Sequence, residues 1–199
     1  MNTTLVKSLD AERNALVEAL SHVPENGKAE IVHGKVVRLA LAGAGPGRAA
    51  ARIALSLSRH EEQPPVRRGL AFGGSLAFLV DLPHRDSFSP AAAWYVGTLP
   101  EIEMDFLPGA PAFAAEVRSK NDYGPKAERE IAEKVRDYLA AGTQVVWDVD
   151  TLGRDVIKAY QALNPDAPTV YRRGDVAEAE PAVPGWAVAV DALLPPALP

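Results

Sequence analysis

The segment PAFAAEVRSKNDYGP, residues 111–125, runs an apolar strand directly into a cluster of charges. The carboxylate of Glu116 comes first, and the cations Arg118 and Lys120 follow it. Charged side chains at the end of a buried strand are costly unless they are paired or bound to a metal. Mg²⁺ takes oxygen ligands, usually one or two carboxylates with water and substrate phosphate. The pattern indicates either a metal site or a strand end whose charges face solvent, and these residues alone leave both open.

A second group of charges lies on the helix that the sequence predicts over residues 126–141, between Pro125 and Gly142. Most of its charged residues are typical of the solvated face of an amphipathic helix. Glu130 and Lys134 are four residues apart, a spacing that by itself gives a surface ion pair of small value. Lys134 becomes a candidate for chemistry only if its side chain turns inward.

The elements that must position these residues follow from apolar periodicity and turn signals. A helix is predicted over 9–20, a hairpin over 29–41 around His33-Gly34, and a second helix over 48–60. The segments GAGPG (43–47) and LPHRDSFSP (82–90) are predicted as loops. Further strands are predicted over 67–72, 76–81, 91–97, 113–117, 144–149, 155–160, 169–172 and 187–190. Strands flanked by helices, with one clear strand–helix–strand unit, indicate a mixed α/β domain.

Composition excludes several classes of function. There is no cysteine, which excludes disulfides and thiolate metal sites and makes a cytoplasmic location the default. No apolar run approaches the roughly 20 residues of a membrane-spanning helix, and the N-terminus predicts an amphipathic helix rather than a signal peptide. The four histidines are scattered, which disfavours a zinc site, and a Gly-x-Ser-x-Gly elbow is absent. The net charge of −5 argues against tight nonspecific binding of nucleic acid but leaves room for a local basic cleft.

Several segments taken together resemble a known family. They are EVRS (116–119), EREIAEKVRDYLAAGTQVVWDVD (128–150) and AEPAVPGWAVAVDALLP (179–195), with AEIVHGKVV (29–37) and SFSPAAAWYVG (87–97) as weaker matches. In their order and spacing they are similar to the Uma-two family, restriction-endonuclease-like proteins of the PD-(D/E)XK nuclease superfamily. The resemblance covers residues 28–195, so residues 1–27 are predicted to form an N-terminal helix and linker.

The resemblance implies a restriction-endonuclease-like mixed β-sheet core flanked by helices, with the N-terminal helix and β-hairpin added. It implies hydrolysis of DNA phosphodiesters with Mg²⁺ or Mn²⁺. In this sequence Glu116 matches the second acidic metal ligand, and the backbone carbonyl of Val117 is a further candidate ligand. Lys134 matches a lysine on the following helix, and Arg118 occupies the position of the usual Glu-x-Lys lysine. Glu30 matches an acidic residue of the opening hairpin, at the edge of the site.

Two positions depart from the pattern of the family. The first metal ligand is an Asp that follows a proline, but here Pro90 is followed by Ala91, whose methyl group cannot coordinate a cation. Asp86, in the predicted loop, is a poor replacement. Lys120 adds a cation beside Glu116 that could partly replace a missing metal charge. The resemblance, with this departure at position 91, therefore implies a metal-dependent nuclease whose activity is impaired by Ala91.

A second interpretation remains open, in which the chain is a catalytically inactive binding or assembly module on a nuclease fold. Trp147, Trp186 and the proline-rich C-terminal tail are candidates for a homodimer interface. A small-molecule enzyme on an α/β fold has no motif in its favour and ranks last. For a nucleic-acid substrate, the candidate phosphate contacts are Arg48, Arg67, Arg68 and Arg85.

Overall fold

The structure, a computed structural model, describes residues 3–23, 27–63, 69–74 and 76–195, with side chains described from residue 10 onward. The helices of this part of the chain are α1 (Thr3–Ser21), α2 (Ala44–Glu61), α3 (Pro125–Ala140) and the short α4 (Val190–Leu193). None of the helices in the described ranges is long and apolar enough to cross a membrane.

The strands form three sheets within the described residues. A six-stranded sheet has the order β11 (Asn164–Tyr171), β10 (Ile157–Gln161), β9 (Val145–Val149), β8 (Phe113–Val117), β6 (Ala92–Tyr95), β3 (Leu70–Gly73). A five-stranded sheet has the order β2 (Lys35–Leu39), β1 (Lys28–Val32), β5 (Arg85–Phe88), β4 (Phe78–Leu82), β7 (Leu107–Pro108). A ribbon joins β12 (Val176–Glu178) to β13 (Ala187–Ala189). The predicted mixed α/β fold is confirmed.

The unit β8–α3–β9 places the candidate site. β8 and β9 are parallel neighbours, and α3 crosses between them. Gly124 has a φ of 97°, which glycine adopts without the steric cost of a Cβ atom, and Pro125 supplies the first helical residue. Alternation along β8 sends Ala115 into the core on the side of α2, while Ala114 packs on the side of α3. Glu116 therefore shares the face of Ala114 and points toward α3.

The hairpin β1–β2 and the strand β5 differ in how well the sequence predicted them. His33 and Gly34 both have positive φ, at 51° and 65°, as a two-residue hairpin turn requires, so the predicted hairpin is confirmed. The predicted loop over 82–90 is wrong, because residues 85–88 form β5 between β1 and β4. Its polar residues suggested a loop, but Arg85 and Ser87 are buried with hydrogen-bond partners, Ser87 accepting from the N–H of Ile31.

The start of α2 also corrects the sequence-based prediction. The helix begins at Ala44, so most of GAGPG forms its first turn rather than a loop, and the Gly47 N–H donates to the carbonyl of Gly43 at 2.9 Å. The predicted strand over 67–72 lies partly outside the described residues, and β3 begins at Leu70. β7 and β12 were not predicted, and β11 begins before residue 169.

The aromatic core lies between the six-stranded sheet, α2 and the C-terminal segment. Trp147 stacks on Trp186 with ring centroids 5.1 Å apart, and Phe113 contacts both rings. The Trp186 indole N–H donates to the hydroxyl of Ser56 at 3.0 Å. Both tryptophans are buried within one chain, so the prediction that they form a homodimer interface is wrong. The end of the proline-rich tail, residues 196–199, lies outside the described residues, and a homodimer through another surface stays a prediction.

Replacing Trp186 with Ala should lower the free energy of unfolding by about 3–5 kcal/mol, because a buried indole is exchanged for a cavity. Urea denaturation followed by circular dichroism measures the change. Leu163→Ala is the control, since Leu163 is 93% exposed and its truncation should shift stability by less than about 0.5 kcal/mol. Equal effects of the two substitutions would contradict the position assigned to Trp186.

Candidate functional site

A cavity of about 640 Å³ opens at the carboxyl end of β8. Its polar side is formed where β1, β8, β9 and α3 meet, and its apolar side is formed by the end of β2 and the first turns of α2. Charged residues on the polar side are Lys28, Glu116, Arg118, Asp122, Lys134 and Asp148. The apolar side includes Leu39, Leu41, Pro46, Ala50 and Ala54.

Lys134 holds the polar side together, because its ammonium group lies between two carboxylates. Its Nζ donates to Oε1 of Glu30 at 2.8 Å and to Oε1 of Glu116 at 2.9 Å. The Lys134 side chain is 18% exposed, whereas that of Lys126 on the same helix is 84% exposed. Burial alone would lower the pKa of Lys134, but the two carboxylates outweigh it and raise that pKa. The structure thus brings Glu30, Glu116 and Lys134 together.

Glu30 is buried, and all of its described partners are donors. Besides Lys134, it accepts from Nη1 of Arg85 at 2.7 Å and from the Ser89 N–H at 2.8 Å. Burial alone would raise the pKa of Glu30, but the charges of Lys134 and Arg85, with these hydrogen bonds, lower it. The hydrogen bond from the Ser89 N–H to Glu30 also fixes the backbone at Ser89, two residues before Ala91.

Asp137 continues the network behind Arg85. It accepts from Nε of Arg85 at 2.8 Å and contacts Nε2 of His84 at 2.9 Å. Arg85 is therefore committed to two buried carboxylates, and its prediction as a phosphate contact is wrong. Asp137 is an exception to the solvated face predicted for most charged residues of α3, because it is only 5% exposed. Its position three residues after Lys134 on α3 was the available signal.

Tyr138, one turn after Lys134, fixes the orientation of Glu116. Its hydroxyl donates to Oε1 of Glu116 at 2.6 Å, and its ring stacks on Phe88 with centroids 3.8 Å apart. Burial first, and then the charges of Glu116 and Glu30, raise the pKa of the Tyr138 hydroxyl well above its ordinary value. The group therefore remains protonated and donates at neutral pH.

Ala91 lies beside Glu116 in the wall of the cavity. The pairing of β6 with β8 begins at Ala92 opposite Ala115, and the Ala91 N–H donates to the carbonyl of Ala115 at 2.9 Å. Ala91, Glu116 and Val117 all line the cavity, as expected if position 91 corresponds to the first metal ligand of the family.

The residues present do not fit a divalent cation. Throughout the described ranges, no group of three or more His, Cys, Asp or Glu side chains is placed to hold a metal ion. Glu30 is engaged by three donors, and Oε1 of Glu116 already accepts from Lys134 and Tyr138. Ala91 contributes only a methyl group, so the wall offers a cation fewer oxygen ligands than an Asp at that position would.

Arg118 is held beyond the end of β8. It forms a two-point contact with Asp148, at 2.7 Å from Nε and 2.7 Å from Nη2, and it also pairs with Glu128. The hydrogen bonds with Asp148 are the largest cause of the raised pKa of Arg118. Burial acts in the opposite direction, but it is the smaller effect. Arg118 therefore ties β8, β9 and α3 together, and its charge is neutralised.

Lys120 and Asp86 lie away from the centre of the site. Residues 119–122 form a turn in which Asp122 accepts from the N–H and hydroxyl of Ser119, and Lys120 is exposed on it, outside the residues that line the cavity. The structure therefore does not place Lys120 in the cavity wall, and its role as a charge beside Glu116 stays a prediction. Asp86 lies on β5 and pairs with Arg13 of α1 at 3.2 Å, so it does not replace the missing ligand. Arg48 is exposed, and Arg67 and Arg68 lie outside the described residues.

Comparison with known proteins now identifies the family. Residues 16–191 match the sequence profile of the Uma2 family, described as "Putative restriction endonuclease". The chain belongs to the Uma2 family. The resemblance seen in the sequence is therefore confirmed.

A solved structure supports the same fold. The crystal structure of a "putative nuclease belonging to DUF820" from Anabaena variabilis ATCC 29413, at 1.96 Å resolution, superposes with a TM-score of 0.70. The alignment covers 89% of this chain and 96% of that chain at 18% sequence identity, and this likeness is one of fold alone. A search of curated proteins found no match.

Lys28 is a site residue that the sequence analysis missed. It lines the cavity near Glu116 and Lys134, and burial comes first among the causes that lower its pKa. The available signal was its spacing, because residues two apart on a strand share one face and Lys28 precedes Glu30 by two.

Replacing Lys134 with Met should lower the free energy of unfolding near neutral pH by about 3 kcal/mol, because Glu116 loses its cation and Glu30 loses one of two. The loss in free energy of unfolding should be smaller at acidic pH. Glu30 has a lowered pKa in the native protein, so its contribution is present above the ordinary value of 4.5 and is lost as pH falls below it. Denaturation measured at a series of pH values, from neutral to below 4.5, tests the expectation.

Lys126→Met is the matched control for Lys134→Met. It removes the same charge from the same helix, but Lys126 forms only an exposed pair with Glu130 at 3.4 Å. We expect a change of less than about 0.5 kcal/mol. A Lys134→Met deficit that stays constant from neutral pH into acid would contradict the electrostatic origin assigned to it.

Proposed function

We propose that the chain is a nuclease whose cavity receives a phosphodiester of DNA, and that its metal-dependent cleavage is impaired by Ala91. The observation that carries the proposal is the placement of Glu116 and Lys134 in one cavity, with Ala91 beside Glu116 in its wall. Membership of the Uma2 family supports the nuclease assignment.

The ammonium of Lys134 is the group suited to stabilise charge on a phosphate. It is fixed before any ligand arrives, because Glu30 and Glu116 hold its Nζ from two sides. A cation preorganised at the point where negative charge develops lowers the barrier of a reaction without reorganising during it. Arg85 and Asp137 hold Glu30 in turn, so the position of Lys134 depends on a buried chain of ion pairs.

We attribute the impaired cleavage to two features of the oxygen ligands. They are few, and one of them already accepts hydrogen bonds from other side chains. Mg²⁺ or Mn²⁺, when bound, would polarise the phosphate and lower the pKa of an attacking water. In a protein with Asp at position 91, the ligands would be that carboxylate, Glu116 and the carbonyl of Val117. Of these ligands, this chain keeps the carboxylate of Glu116 and the carbonyl of Val117. Lys134 and Tyr138 both donate to Oε1 of Glu116. We therefore expect weak metal binding and slow or absent cleavage.

A non-catalytic binding or assembly module is the second candidate. It is favoured by the apolar side of the cavity, where Leu41 is 76% exposed at the end of the hairpin. The same cavity then serves as a surface for binding, and the ion pairs around Lys134 only maintain its shape. Restoring the missing ligand distinguishes the two candidates, because a module gains no hydrolytic activity from it.

Replacing Ala91 with Asp should create cleavage of DNA in Mg²⁺ or Mn²⁺, at a rate at least about 100-fold above that of the unchanged chain. The physical reason is a second carboxylate beside Glu116, which supplies the cation with the ligand it lacks. Incubation of duplex and single-stranded DNA with each protein, followed by gel electrophoresis, measures the rate. Isothermal titration calorimetry with Mn²⁺ measures metal affinity independently of cleavage.

Ala91→Asn is the matched control, because it has the shape of Asp without its charge, and it should remain near the rate of the unchanged chain. Adding Glu116→Gln to Ala91→Asp should abolish the gain. The nuclease proposal fails if Ala91→Asp neither cleaves DNA nor binds Mn²⁺ more tightly than Ala91→Asn does.

A further inference from the structure

Lys28 brings a cation into the cavity without a close acidic partner. It begins β1 two residues before Glu30, on the face that meets α3, and it is one of the residues that line the cavity. Across the described ranges, no carboxylate lies within the 4.0 Å that defines an ion pair with its ammonium. Glu116 and Glu30 act on it from farther away, and the charge of Lys134 opposes it.

The other cations of the cavity wall have carboxylate partners, and the Lys134 ammonium directs two of its three N–H donors to them. Lys134 bridges Glu30 and Glu116, and Arg118 pairs with Asp148 and Glu128. Among the cations that line the cavity in the described part of the chain, Lys28 is therefore the one with no carboxylate in contact. Lys28 is half-buried, and the partial desolvation of a charge without a partner is unfavourable, so an incoming anion would relieve that cost.

The charge of the wall would oppose an anion more strongly if position 91 carried an acidic side chain. Three cations and three carboxylates line the cavity, so the wall is neutral as a whole. An Asp at position 91 would add a negative charge beside Glu116, and a divalent cation would then be needed before a phosphate could approach. With Ala91, the approach to Lys28 and Lys134 meets no second carboxylate at that position.

We propose that Lys28 and Lys134 together bind a phosphate group of a nucleic acid in this cavity without a divalent cation. This inference rests on the proposed function, since it names how the same cavity holds its substrate. It adds a role for Lys28 and makes binding independent of the metal that cleavage would require. A protein with Ala91 would then retain nucleic-acid binding after losing hydrolysis.

The competing explanation is structural, with Lys28 serving only to balance the charge of Glu30 and Glu116. Under that explanation, removing the Lys28 charge changes stability but leaves affinity for DNA at the level of any other single-charge variant. Lys35 supplies the comparison, because it lies on β2 of the same hairpin, is exposed and does not line the cavity.

The test is the binding of short fluorescein-labelled DNA, duplex and single-stranded, measured by fluorescence anisotropy in EDTA. We expect the unchanged chain to bind, Lys28→Met to bind about tenfold more weakly, and Lys35→Met to stay within about twofold. The slope of log affinity against log salt should decrease by about 1 for Lys28→Met, as for one lost phosphate contact. Ala91→Asp should bind more weakly than the unchanged chain in EDTA and regain affinity in Mg²⁺.

A second measurement covers the case in which Lys28→Met does not fold. The unchanged chain is treated with formaldehyde and a mild reductant, which methylate accessible lysines, with and without the same DNA in EDTA. Mass spectrometry should show slower modification of Lys28 when DNA is present, with Lys35 unchanged as the internal reference.

The inference is overturned if the unchanged chain does not bind DNA in EDTA, if Lys28→Met and Lys35→Met bind alike, or if DNA leaves the modification rate of Lys28 unaltered. These outcomes are separate from failure of the proposed function, which is judged by cleavage and Mn²⁺ binding of Ala91→Asp. Cleavage by Ala91→Asp with no metal-free binding by the unchanged chain would reject this inference and keep the nuclease.

Discussion

The position of the Lys134 ammonium between Glu30 and Glu116 is the constraint on which the site depends. A lysine and two carboxylates are buried together only when each charge has a partner, because an unpaired charge in a protein interior is strongly destabilising. This requirement ties the opening hairpin to α3 and to the end of β8. It also leaves Glu116 with its Oε1 engaged, which weakens its capacity to bind a cation.

Two further ion-pair systems lie next to this centre, and the first of them shares Glu30 with it. Behind it, Arg85 joins Glu30 to Asp137, so the five-stranded sheet is anchored to α3 through side chains as well as through the apolar core. Beyond the strand end, Arg118 joins β8 to Asp148 of β9 and Glu128 of α3. Both arginines are structural residues, and the phosphate contact that we propose is assigned to Lys28 and Lys134 of the cavity.

The sequence predicted the fold class, the hairpin, the unit β8–α3–β9 and the membership of the Uma2 family. These features depend on local signals, such as alternation, helical periodicity, Gly124 and Pro125 at the helix start and Gly142 at its end. Its errors came where polar residues are buried. Residues 82–90 were predicted as a loop because the partners of Arg85 and Ser87 lie far away in sequence. The two buried tryptophans were predicted to form part of a dimer interface.

By itself, the sequence determined that Glu116 lies near the end of an apolar strand, that a helix carrying Lys134 follows it, and that position 91 has no side chain able to bind a metal. Each of these facts is set by one residue or one short segment. Only the tertiary structure decided that Lys134 turns inward, that Lys120 turns outward and that Lys28 enters the cavity. The direction of a charged side chain depends on which partners the fold brings within reach, and those partners come from distant segments whose pairing no local pattern records.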